Sequence, residues 1–127
     1  MAFIYVNPNP EQNLTGDCVI RAVSLLTKKD WETTYVEIVL QGFIMHDMPS
    51  SNAVWSAYLH KNGFERRTLP NTCPDCYTIR DFTQDYPKGE YLVATGTHVV
   101  AVKDGNYYDT WDSEMKFQFT IGKRRYK

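Results

Sequence analysis

The chain has 127 residues, of which 43% are hydrophobic and 14% aromatic, enough for one domain with a sizeable core and too few for two. Nine Tyr, six Phe and three Trp are at odds with a disordered chain, and a net charge of −1 gives no bulk attraction to nucleic acid. No apolar stretch approaches the length of a membrane span, so neither a membrane nor a nucleic acid is expected as a partner.

The N-terminal segment, Met1 to Pro8, has no basic residues and only a short apolar stretch, unlike a secretory signal. The expected location is therefore cytoplasmic. Asn7-Pro8-Asn9-Pro10 reads as extended chain leading into a first helix from about Asp17 to Lys28, capped by Asp17 or Thr15. That helix is apolar nearly all round, which places it in the middle of a core.

A second helix starts behind Asp30, carries Trp31, Tyr35, Ile38 and Val39 on one core stripe, and stops at Gly42. The loop His46-Asp47-Met48-Pro49-Ser50-Ser51 then caps a third helix with Val54, Trp55, Tyr58 and Leu59, which ends at Gly63. A short fourth helix is expected near Tyr77–Asp85, with Thr72 as a candidate cap. After Pro87 four β-rich segments follow: Tyr91–Thr95, His98–Val102, Asn106–Trp111 and Lys116–Ile121. Helices first and an antiparallel sheet second make a single α+β domain over residues 1–127. The basic end, Lys123 to Lys127, reads as a solvated terminus.

Four residues carry chemistry. Cys18 opens the first helix, where free N–H groups and the helix dipole favour thiolate. Gly16 just before it lets a substrate approach the backbone. His98 sits at the entrance of an apolar strand, where a titratable ring needs a partner or a cleft. Asp104-Gly105 is a hairpin signal. A two-residue turn there pairs Val102 with Tyr107 and Val100 with Asp109, and sets Asp109 diagonal to His98. A three-residue turn would bring Asp112 opposite His98 instead, so Asp112 is the alternative third member. Gln12, with Asn13 as its neighbouring alternative, offers a side-chain amide to an oxyanion.

Gln12 with Cys18 six residues later, followed by His98 and Asp109-Thr110-Trp111, resembles the order of papain-like cysteine peptidases. Asp47 to Trp55 is similar to a stretch in small bacterial and phage-encoded proteins of this type. The resemblance implies a papain-like fold whose central Cys-bearing helix packs on a C-terminal antiparallel sheet. It also implies roles: Cys18 as nucleophile, His98 as general base and acid, Asp109 as its orienter, Gln12 as oxyanion donor and Trp111 as a shield. Gly16, Asp17, Gly96 and Trp111 border the substrate cleft. The implied activity is a cysteine-dependent hydrolase, a peptidase, isopeptidase or amidase, acting on a peptide or protein without a cofactor or metal. Transglutaminase-like acyl transfer uses the same site. An inactive papain-fold binding module, phage-borne and directed at a host protein, is the alternative of another class.

The sequence departs from that family at Asp17, an acidic neighbour that raises a thiol pKa, and at Val19, where the family has Trp. The chain is also too small for two lobes. Cys73-Pro74-Asp75-Cys76 has metal and redox spacing, but a zinc site needs two more ligands and no second pair exists. The expectation is two free thiols in a loop.

Overall fold

The computed structural model describes residues 2–68, 77–95, 98–111 and 118–124. In chain order the elements are β1 (Ala2–Tyr5), α1 (Cys18–Thr27), α2 (Trp31–Met45), α3 (Asn52–Lys61), β2 (Phe64–Thr68), α4 (Ile79–Asp85), β3 (Glu90–Thr95), β4 (Val99–Lys103), β5 (Asn106–Asp109) and β6 (Gln118–Arg124). The chain is an α+β protein. None of the described helices is long and apolar enough to cross a membrane.

The hairpin between β4 and β5 follows from its two turn residues. Asp104 and Gly105 both have positive φ, 51° and 79°, as a two-residue turn matched to strand twist requires. Val102 therefore pairs with Tyr107, and Ala101 with Tyr108. The full strand order is β1-β5-β4-β3-β6-β2. Its interior is antiparallel, but the expectation of a purely antiparallel C-terminal sheet needs correction at both edges. β1 lies parallel to β5, with Phe3 beside Tyr107, and β2 adds antiparallel to β6. Partners about a hundred residues apart need no tight turn, so a parallel edge costs nothing in connection geometry.

Helices cover both faces of the sheet. On one face Leu92, Ala94, Val99 and Ala101 pack with Val23 and Leu26 of α1 and with Val54, Trp55 and Leu59 of α3. On the other, Val93, Val100, Val102 and Tyr107 pack with Ile79 and Phe82 of α4. Burial on both faces explains why β3 and β4 are continuous apolar runs rather than alternating ones. The α4 helix begins directly after Thr78, whose reciprocal cap with Asp81 starts it at Ile79 rather than at Tyr77. Thr72 lies outside the described residues.

The second helix departs most from its expected form. It runs through Gly42 to Met45 and ends at His46, whose φ is 55°. Gly42 is not a stop. It lies where the following loop crosses the helix, so that a Cβ there would meet the Asp47 carbonyl oxygen at 2.8 Å. The expected core stripe is also only half buried. Ile38 is inside with Thr34, Gln41 and Gly42, whereas Tyr35 is 48% exposed and Val39 38%. The outward face of α2 carries Val36, Leu40, Phe43 and Ile44, all exposed.

Candidate active site

The N-terminus of α1 abuts the end of the sheet where β4 begins and β5 ends, and there Cys18, His98 and Asp109 meet. Cys18 is the first residue of α1, so its N–H has no acceptor within the helix. Its thiol is half-buried and hydrogen-bonds His98. His98 turns Nε2 to Asp109 Oδ2 at 2.5 Å, leaving Nδ1 as the ring nitrogen for the thiol. Asp109 is 2% exposed, and its second oxygen accepts from the Thr110 N–H at 2.8 Å. The Trp111 ring lies over the imidazole, centroids 4.9 Å apart and tilted by 34°, while itself 45% exposed.

The electrostatics favour a charged pair. Burial pushes the Cys18 thiol up, but the hydrogen bonds from His98 and the Val99 amide, with the charges of His98 and Arg21, bring it below its ordinary value. Burial works against His98 too, yet its bonds to Asp109 and Cys18 and their charges raise it to about 9. The two shifts run in opposite directions, the thiol down and the imidazole up, so each partner favours the charged form of the other.

Arg21 is the residue that the sequence reading passed over. It sits one turn into α1, 7% exposed, as the one charged residue of that helix. One guanidinium nitrogen pairs with Asp17 and also donates to the Thr15 carbonyl, and the other reaches Asp109 Oδ1 at 3.3 Å. The Asp17 carboxylate accepts a second bond from Trp31 Nε1 at 2.8 Å. Asp17 therefore stands at the helix cap position without capping it, and its charge is answered by Arg21 rather than imposed on Cys18. The one charged residue in a mostly apolar helix was the available signal, because a guanidinium buried with that helix needs acceptors and a counter-charge.

Gln12 is placed differently from a free donor. It adopts φ 58° in an exposed loop, and its amide nitrogen donates to the carbonyls of Asn7 at 3.1 Å and Asn9 at 3.0 Å. Both amide hydrogens thus hold the loop that leads to Cys18. Gly16 and Asp17 line a cavity of about 450 Å3 beside the start of α1, with Asn13, Val19, Trp31 and Tyr35. Gly96, Asp112, Cys73 and Cys76 lie outside the described residues. Among the described residues, no group of three or more His, Cys, Asp or Glu side chains gathers as a metal site. No family model, curated protein or solved structure matches the chain.

Proposed function

We propose that the protein is a cysteine-dependent hydrolase of papain-like type that cleaves an amide or isopeptide bond. The observation that carries this reading is the buried relay from Asp109 through His98 to a Cys18 thiol at a helix N-terminus, roofed by Trp111. Nucleophile, base and orienter stand in the order that thiol acyl transfer needs.

In the first step Cys18 Sγ attacks the substrate carbonyl carbon, and the oxyanion takes the Cys18 N–H. Its second donor is Gln12, once one of its loop bonds is released, or Asn13, which lines the cavity beside the start of α1. The His98 imidazolium gives its proton to the leaving amine nitrogen as the C–N bond breaks, leaving a thioester and neutral imidazole. Water then loses a proton to His98 and attacks the thioester. The C–S bond breaks, the acid departs, and the thiolate–imidazolium pair is restored.

The test is the pH dependence of iodoacetamide alkylation at Cys18, in a Cys73→Ser/Cys76→Ser background. Fast reaction well below the free-thiol pKa of about 8.5, lost in His98→Ala, is the expected result. Slow alkylation that follows an ordinary thiol titration, with or without His98, would refute the hydrolase. The apolar outer face of α2 would then favour a binding module.

A further inference from the structure

The outward side of α2 reverses the usual order of an amphipathic helix. The side packed on α1 and α3 buries Thr34, Gln41 and Gly42 beside Ile38. Tyr35, Val36, Val39, Leu40, Phe43 and Ile44 instead stand 38–77% exposed. At helical periodicity these six positions form one stripe opposite the buried one. We propose that this stripe is the interface through which two copies of the chain pair as an antiparallel, two-fold dimer. The pairing is independent of the chemistry at Cys18.

Area is the first observation that carries it. Six aliphatic and aromatic side chains open to this degree present roughly 600 Å2 of contiguous apolar surface, the upper limit of what a monomer commonly shows. Two such stripes laid together bury roughly 1,200 Å2, where stable interfaces begin, before any flanking residue contributes. The composition agrees. Val, Ile, Phe and Tyr are weaker helix formers than the Glu, Lys and Ala that suit solvent-facing positions. Five of the six positions hold them, which fits a face buried by packing rather than one kept in water.

The second is symmetry. An isologous contact needs a surface that maps onto itself, residue i meeting j and j meeting i. The six positions are symmetric about the point between Val39 and Leu40. An antiparallel copy therefore sets Tyr35 against Ile44, Val36 against Phe43 and Val39 against Leu40. In each pair a larger side chain meets a smaller one, the alternation by which facing helices interdigitate.

The third is charge. The stripe itself carries none, so a second copy meets no like charge across it. Glu32 and Asp47 are exposed beyond its two ends, at the rim of such a pair, where water and salt screen them. No Lys or Arg occurs between Lys29 and Lys61. A helix lying on a membrane carries Lys and Arg along its polar face, and an acidic partner would need them too, so neither fits this surface.

Sedimentation equilibrium of the full chain, in reducing buffer at neutral pH, measures the association. The expected result is a monomer–dimer equilibrium with a Kd of about 10 μM or tighter and no larger species, because a two-fold contact closes on itself. Leu40→Glu should raise the Kd by about 100-fold or more with the far-UV spectrum retained, since it sets two buried carboxylates near the two-fold axis. Leu40→Lys should do the same, and an equimolar mixture of the two variants should form a heterodimer. Leu40→Met should keep the Kd within about threefold. A chain still monomeric at about 100 μM overturns the proposal, and flotation of that monomer with phosphatidylcholine vesicles would give the face to a lipid surface instead. A dimer that survives both charged variants lies elsewhere on the molecule and overturns it too. Association that continues past the dimer, or a variant mixture that stays monomeric, overturns the two-fold pairing.

Discussion

Arg21→Met is the most informative single change, because Arg21 joins the helix that bears the nucleophile to the carboxylate that orients the base. Removing one member of a buried ion network costs about 3–5 kcal/mol, since the remaining charges lose their compensation. Here the three side chains are 8%, 7% and 2% exposed, so solvent offers little relief. Each carboxylate keeps another donor, Trp31 Nε1 on Asp17, and His98 with the Thr110 N–H on Asp109. The expected loss is therefore at the low end, about 3 kcal/mol, or roughly 10 °C in the unfolding midpoint for a chain of this size. Urea unfolding at neutral pH measures the first quantity and thermal unfolding the second. Chemistry should change as well. The Arg21 charge helps to hold the Cys18 thiol low, so alkylation near pH 6 should slow in the variant, with rates converging above about pH 9. Arg21→Lys should recover less than half of the lost stability, because a point charge cannot fork between two carboxylates. A loss below about 1 kcal/mol, with low-pH alkylation unchanged, would refute the network as a buried and functional one.

Asp109→Asn should lower the His98 titration from about 9, because the imidazolium loses its carboxylate counter-charge and keeps only Cys18 against the effect of burial; NMR of the ring protons checks this. The linked stability has a definite sign: the raised histidine pKa stabilises the fold fully below pH 6.5, and that contribution disappears as pH rises through about 9. The lowered Cys18 thiol contributes with the opposite sign over the same range, so urea unfolding across that window should be flatter in the native chain than in Cys18→Ala, where the His98 contribution stands alone and declines with rising pH. Asp109→Ala should impair alkylation at neutral pH far more than Asp112→Ala, and equal losses would sink the pairing of His98 with Asp109. Gly42→Ala should destabilise by about 1–3 kcal/mol in chemical unfolding, despite alanine's better helix propensity, because the new Cβ meets backbone oxygen at 2.8 Å. Thr78→Ala removes the α4 cap and should cost about 1 kcal/mol by the same measurement.

What the sequence determined is what a few neighbouring residues can encode. Asp104-Gly105 specified the turn, and through it the register of β4 and β5, because only certain residues take positive φ in succession. Asp30 and Ser51 marked helix starts through side-chain oxygens that accept backbone N–H groups. The β-rich runs of β3 and β4 announced strands, and the packing of helices on both faces then buried them on either side. The placement of Cys18 at the first turn of an apolar helix was legible for the same local reason.

Tertiary structure alone decided the rest. Arg21 and Asp109 are 88 positions apart, and no local pattern states that a helix and a strand end will bring them together. Gln12 had the spacing of an oxyanion donor, but loop packing turned its amide onto the Asn7 and Asn9 carbonyls. The edge strands β1 and β2 are short, and only their partners β5 and β6 make them strands. The face that α2 buries depended on how it crosses α1 and α3: periodicity marks an apolar stripe, and packing chooses which part of it meets the core.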